Sequence, residues 1–540
     1  MKFLILGGTR FLGRHLVKAS KGILIGEFML KYGQLLLACV FAFGAMLFGL
    51  NCLGQENGGQ QNSAVPAASI SLKPCEVSGA KEGVKEKVRC GTFEVFEDRI
   101  AKSGRKIALK IIVFPATGQA TGQNRAADPL VYIPGGPGSS ATEDAPFVAR
   151  EFAKIREHRD LVFVDQRGTG GSNPLNCDFF KPADLRSYLG EYFPLEDVRK
   201  CREQLEPKAN LKLYTTPIAM DDLDDVRAAL GYNQINIIGG SYGTRAAQVY
   251  LKLHETRVRA LILHGVSPTN QFMPRDFPQH TERALNGVMA DCVADEACRV
   301  AFPKLGAEAK SVLERLLRGP VEVELKREKA GDSIRINLSR DLVAEAIRYM
   351  LYQPGAASRI PLFIHLAAQG NFTPLAEAAI SYRQQIVATG SNGMYLSVTC
   401  AEDLPLIKPG EGERNGVNTF LGDYRLRQQR AACALWSRAK IPSNYPEPAR
   451  SDVPALILTG QWDPVTPPIY GDTAAKYLSH SLHVIVPQGG HGFNGLNGLD
   501  CIDNLIVSFI DRGTTTGLDT SCVNSIGRKG FLLKLPGSNK

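Results

Sequence analysis

A chain of 540 residues with 44% hydrophobic and 22% charged side chains is too apolar to be disordered and long enough for a core plus an insertion. Its net charge of +9 is spread without a dense Lys/Arg cluster, and no nucleic-acid-binding motif is present, so nucleic acid is not an expected partner. Twelve cysteines without a C-x-x-C pair argue against a zinc site, and no metal is expected.

The first 54 residues read as an extension followed by an export signal or anchor. Met1 to Gly13 is similar to the opening of a nucleotide-sugar epimerase, a strand and a Gly-rich turn. The rest of a βαβ unit is missing and Glu27 is a poor ribose acid, so the segment reads as a mis-set start or gene-boundary relic, not an NAD site. Leu35 to Leu50 is uncharged, follows Lys31 and has the length of a signal-peptide core; Met29 is an alternative start. Cleavage after Gly54 is expected. A retained membrane anchor is the alternative, and it would be the chain's one membrane contact. A lipoprotein site is disfavoured, because Asn51 is a poor neighbour for Cys52. Residues 55–74 are a polar linker, expected to be disordered. Cys39 and Cys52 fall in the leader, which leaves ten cysteines. An even number in an exported chain suggests disulfides, with connectivity left open by the sequence. Periplasmic or extracellular placement follows.

From 75 to 270 the pattern alternates strand and helix. Cys90 to Pro115 predicts two antiparallel strands turning at Ser103-Gly104. Leu130 to Ile133 is a buried strand running into Pro134-Gly135-Gly136-Pro137-Gly138, and Leu161 to Val164 is another, ending in Asp165-Gln166-Arg167. Asp165 and Arg167 are read as an ion pair or turn network that shapes the neighbouring loop. Thr216-Pro217 supplies an N-cap and a first-turn proline for a helix with Leu223, Val226 and Leu230 on one face. Ile235 to Ile238 leads into Gly239-Gly240-Ser241-Tyr242-Gly243, a helix runs from Thr244 to Leu253, and Val258 to Leu263 is the next strand. Alternation of this kind implies an α/β fold with a mostly parallel sheet. Residues 271–440 change to a mainly helical pattern with strand-like runs at Val321 to Leu325 and Ile334 to Leu338, and read as an inserted cap. The core resumes over 441–540 with strands at Ala455 to Leu458 and Val484 to Val486.

G-x-S-x-G between a strand and a helix is a nucleophile elbow, with glycine flanks because a side chain there would meet neighbouring backbone. Serine needs a base oriented by an acid, and in this fold the order is Ser, acid, His. Asp463 follows the strand ending at Leu458, and His491 follows the strand ending at Val486 within a Gly-rich turn. The expected triad is therefore Ser241, Asp463 and His491. The expected oxyanion hole combines the Tyr242 N–H with one from Gly135 or Gly136. A triad of this kind uses neither a metal nor an organic cofactor.

Gly135-Gly136-Pro137-Gly138, Asp165 to Ser172, Gly240 to Thr244, Asp463-Pro464-Val465-Thr466-Pro467 and Gly490-His491-Gly492 together resemble the prolyl aminopeptidase and tripeptidyl aminopeptidase family of serine α/β-hydrolases. Val398 to Asp403 and Cys433 to Trp436 resemble the cysteine-bearing segments of its secreted tripeptidyl branch, and the likeness runs from about Cys75 to about Cys522. Pro134 stands where prolyl aminopeptidases usually carry His, and His264 where the branch commonly has Asp. The resemblance implies an α/β-hydrolase fold and an exopeptidase acting on peptides with a free N-terminus. It also implies disulfides between sequence neighbours, Cys400 with Cys433 above all. Acidic cap residues would hold the substrate ammonium; Glu402 and Asp403 are the candidates, against a surface acidic pair at a helix start. An esterase or other acyl hydrolase on the same triad, and a catalytically silent binding protein, are the competing readings.

Overall fold

A computed structural model describes residues 70–79, 85–118, 126–181, 184–327, 332–388 and 390–535. The expected leader, and the linker up to residue 69, lie outside the described residues. Eleven of the strands matter here: β1 (Lys73–Ser78), β2 (Lys85–Phe96), β3 (Lys106–Phe114), β4 (Leu130–Ile133), β5 (Leu161–Val164), β6 (Ile235–Gly240), β7 (Val258–His264), β8 (Val321–Arg327), β9 (Asp332–Leu338), β10 (Ala455–Gly460) and β11 (Ser481–Val486). β1 includes Lys73 and Pro74, which the sequence assigned to the linker.

Nine strands form one sheet in the order β1-β2-β3-β5-β4-β6-β7-β10-β11. β1, β2, β3 and β5 pair antiparallel in succession, and every pairing from β5 to β11 is parallel. β4, β5, β6 and β10 are buried at every position. Strands covered by helices on both faces read as unbroken apolar runs, which is why the sequence locates them well. Successive residues serve opposite faces. Val131, Val162 and Ile237 join one core, and Tyr132, Phe163 and Ile238 join the other.

Two local expectations shift. The β2–β3 connection spans 97–105 and is closed by Glu97 N–H donating to the Arg105 carbonyl at 2.8 Å, so Ser103-Gly104 lies on the return side of a longer loop that turns at 99–102. Thr215, not Thr216, holds the N-cap position of the helix Thr216–Ala229 and makes no capping side-chain bond; Thr216 is already helical, and its N–H donates to a distant carboxylate, Glu402, at 2.6 Å.

The segment between β7 and β10 adds no strand to the sheet. β8 and β9 form a separate antiparallel hairpin, and the surrounding helices build a third core around Leu285, Val288, Val343 and Ile347. Its last part behaves differently. The helices Asn392–Glu402 and Tyr424–Leu435 pack into the core beneath the sheet through Met394, Val398 and Cys433.

Five disulfides join Cys75–Cys90, Cys177–Cys201, Cys292–Cys298, Cys400–Cys433 and Cys501–Cys522, each between sequence neighbours among the ten. Cys400–Cys433 closes a loop of 33 residues. Cross-linking such a loop restricts the unfolded chain by about 3–4 kcal/mol. Serine at both positions is expected to lower the denaturation midpoint accordingly, as read by chemical unfolding.

Candidate active site

Ser241 follows β6 at the centre of the sheet and opens the helix Tyr242–His254. Its backbone lies at φ 55° and ψ −123°, a left-handed conformation that costs a non-glycine residue about 1–3 kcal/mol. Neighbours hold it there. Its N–H donates to the His264 carbonyl at 2.9 Å. A Cβ on Gly239 would lie 2.5 Å from the Gly243 carbonyl oxygen, and one on Gly243 would run into the Ile133 carbonyl. Both glycines are therefore required by close backbone packing, as the motif predicts.

Gly135 and Gly136 border the same cavity as Ser241 and His491, which holds about 200 Å³. A Cβ on Gly135 would sit 3.1 Å from the Ser241 Cβ, and Gly136 has φ 115°. Tyr242 is the first residue of its helix, so its N–H has no intrahelical acceptor. Its side chain is buried and its hydroxyl shares a 2.7 Å hydrogen bond with Thr216 Oγ1, which leaves the backbone as what Tyr242 offers the site.

β10 carries the chain to Asp463, which is fully buried. Its Oδ1 accepts the N–H groups of Val465 and Thr466 at 2.7 and 2.8 Å. Its Oδ2 accepts Thr466 Oγ1 at 2.7 Å and lies 2.8 Å from His491 Nδ1. Burial pushes the carboxyl up, but the imidazole and these donors together outweigh it and hold it at about 2. With Nδ1–H donated to Asp463, Nε2 keeps its lone pair. The His491 ring packs edge-on against Tyr352 at 5.0 Å. Ser241 Oγ shares the cavity wall with His491 and makes no hydrogen bond to it among the described residues.

The inserted helices grip both loops. Arg283 donates to the carbonyls of Gln461 and Asp463 at 2.8 and 3.0 Å. The Tyr352 carbonyl accepts the Gly492 N–H at 2.8 Å, and Gln353 Oε1 accepts the Asn494 N–H at 3.0 Å. His264 stacks on Phe493 at 4.5 Å, and burial, then the charge of His491, push it down to about 4. It is a neutral packing ring where the resembling family carries a carboxylate.

Glu402 and Asp403 are not where a substrate ammonium could reach them. Both are fully buried. Glu402 accepts the Thr216 N–H at 2.6 Å, Thr216 Oγ1 at 2.7 Å and the Tyr445 hydroxyl. Asp403 accepts Arg245 Nη1 at 2.8 Å and the Met273 N–H at 3.0 Å. The helix that ends at them is packed into the sheet core next to Cys400; Asp403 braces the elbow helix through Arg245, and Glu402 holds the start of the helix Thr216–Ala229. Asp165 and Arg167 also part company. Asp165 accepts Ser140 Oγ, Thr142 N–H, Thr142 Oγ1 and Gly171 N–H within 2.7–2.9 Å, tying its loop to the helix after Gly138. Arg167 instead forms a fork with Asp222 at 2.6 and 2.9 Å.

Thr466 was missed. It donates to Asp463 and its oxygen lies 2.9 Å from His491 Nδ1. Its spacing three residues after an acid, with the acid accepting its N–H, is a local turn signature that the sequence displays. Thr466→Val is expected to keep the fold and lower kcat by about 10- to 100-fold, since hydrogen bonds to charged groups are worth about 1.5–3 kcal/mol; steady-state kinetics on an activated ester checks this. Also missed were Arg348 and Arg425, which border the cavity from the inserted helices.

Residues 128–497, more than half of the chain, match the model of the alpha/beta hydrolase fold family. The chain belongs to that family. This hydrolase is 26% identical to serine protease Hip1 of Mycobacterium tuberculosis (strain ATCC 25618 / H37Rv), covering 91% of this chain and 98% of that one. It is 24% identical to tripeptidyl aminopeptidase of Streptomyces lividans, over 84% and 87%. It is 26% identical to carboxylesterase B of Mycobacterium tuberculosis (strain ATCC 25618 / H37Rv), over 90% and 98%. It is a serine hydrolase. Among the described residues no helix is long and apolar enough to cross a membrane, and no group of three His, Cys, Asp or Glu is placed to hold a metal.

Proposed function

We propose that this hydrolase is an exported serine exopeptidase that cleaves peptides near a free N-terminus. The observation that carries the catalytic part is the 2.8 Å contact between buried Asp463 and His491 at the wall of the cavity that Ser241 also borders. Substrate binding closes the remaining hydrogen bond, from Ser241 to His491 Nε2. The imidazole takes the hydroxyl proton as Oγ attacks the scissile carbonyl. The N–H groups of Tyr242 and of Gly135 or Gly136 receive the oxyanion. His491 then protonates the leaving amine, and water activated by the same ring hydrolyses the acyl-enzyme. Asp463 holds the tautomer and stabilises the imidazolium. The peptidase part is supported by the relatives named serine protease and tripeptidyl aminopeptidase. Five disulfides support an oxidising compartment.

A relative named carboxylesterase B favours a second reading, ester hydrolysis on the same triad. A panel of chromogenic peptide amides with free and N-acetylated ends, run beside simple esters, separates the two. The exopeptidase cleaves the free-ended amides and loses activity when the amine is acetylated. Turnover of esters alone overturns the peptidase reading, and equal cleavage of free and acetylated amides overturns the requirement for an amino end.

A further inference from the structure

Two arginines of the inserted segment line the cavity that Ser241 borders. Arg348 on the helix Arg340–Met350 and Arg425 on the helix Tyr424–Leu435 both border the cavity with Ser241 and His491. Each is nearly inaccessible to solvent, at 1% and 3% exposure. Arg348 donates to Glu345 Oε2 at 3.0 Å and to the Tyr352 hydroxyl at 2.7 Å, and Arg425 donates to the same Glu345 oxygen at 3.2 Å. Aromatic faces fix both guanidiniums: Arg425 lies 3.5 Å from the Tyr192 ring centre and Arg348 lies 4.2 Å from that of Tyr349.

One carboxylate thus serves two guanidiniums, and a third, Arg383, lies 4.8 Å from the same Tyr192 ring while bonding to backbone carbonyls. Arg425 Nε is buried with no hydrogen-bond acceptor among the described residues. Asp144 also borders this cavity, from the helix after the glycine loop, and accepts the Tyr132 hydroxyl. Burial pushes the Tyr192 phenol up, yet the Arg425 charge beside it, with the Tyr349 hydroxyl, holds it below its usual value. A buried guanidinium N–H without an acceptor at a cavity wall is costly unless an accepting group enters to pair with it. Arg348 reaches the catalytic ring through one residue, since its partner Tyr352 packs against His491.

We propose that Arg348 and Arg425 form an anion subsite that binds a carboxylate of the substrate, so that the enzyme selects acidic substrates. This rests on the serine hydrolase reading of the same cavity. The carboxylate is either an acidic side chain or the terminal carboxylate of a short peptide. Planar, pre-positioned guanidiniums suit a carboxylate better than any neutral group.

The test uses the mono-p-nitrophenyl ester of glutaric acid beside p-nitrophenyl pentanoate, which lacks the charge. Wild-type enzyme is expected to show a kcat/KM at least about tenfold higher for the charged ester, mostly in KM, and Arg425→Gln to collapse that ratio towards one while Arg425→Lys restores part of it. Glutarate is expected to raise the wild-type Tm and glutaramide to leave it unchanged, a readout that needs neither turnover nor a variant. Amidated peptides differing only as Glu or Gln, and one Gln peptide with a free or amidated end, assign the carboxylate to the side chain or the terminus. Equal kcat/KM for the two esters, or equal Tm shifts from glutarate and glutaramide, overturns the subsite. Failure of both esters, with the glutarate shift intact, overturns the serine hydrolase reading and leaves the subsite standing.

Discussion

Ser241→Ala is expected to lower kcat by about a millionfold, the loss seen when a serine nucleophile is removed from a complete triad. The residual rate comes from the oxyanion donors and substrate binding, which the substitution leaves in place. His491→Ala should cost about as much, and the double variant little more, because the two side chains act as one unit. A fluorophosphonate probe should label the wild-type chain and not Ser241→Ala. Labelling that survives the substitution would place the nucleophile elsewhere. The alanine also leaves the left-handed backbone at φ 55° in place, held by the His264 carbonyl and the glycine contacts. Its Tm should therefore stay near that of the wild type, which separates lost chemistry from lost fold.

Asp463→Asn carries the second large effect, a fall in kcat of about ten-thousandfold. An amide cannot receive the Nδ1 proton and accept from the Thr466 hydroxyl while also favouring the tautomer with a free Nε2. Stability changes with it. The Asp463 carboxyl titrates at about 2 when folded, below its ordinary value. A group whose folded value is depressed adds stability that is present above the unfolded value, near pH 4, and lost as pH falls through about 2. The wild-type Tm should therefore drop more steeply across that window than the asparagine variant's. Parallel acid profiles for the two proteins would remove Asp463 as a source of acid sensitivity.

The sheet was legible because its parallel strands are buried on both faces. Leu130–Ile133 and Leu161–Val164 are four-residue apolar runs bounded by loop residues, and nothing competes with a strand reading. The placement of Ser241, Asp463 and His491 was legible for a related reason: each follows a parallel strand of the sheet at its C-terminal end, where an open α/β sheet collects its chemistry. Glu402 and Asp403 misled because acidity and proximity to Cys400 say nothing about which way a helix faces. Their helix turns into the sheet core, and Thr216, Tyr445 and Arg245, all distant in sequence, supply the partners. Of the two readings of Asp165 and Arg167, the turn network holds for Asp165 and the ion pair between them does not, since residues two apart in a loop point to different neighbours. Arg348 and Arg425 were invisible as a pair because 77 positions separate them, and only packing around Glu345 and Tyr192 brings them to one wall.

Arg283, Tyr352 and Gln353 clamp the turns that carry the acid and the imidazole, so the excursion between β7 and β10 is more than a roof. Chamber shape and reaction alignment are thereby inherited as one unit. A stripped-down variant reduced to the bare sheet and its flanking helices would lose the contacts that hold the Asp463 and His491 turns. A transplanted excursion would have to bring all three clamps with it.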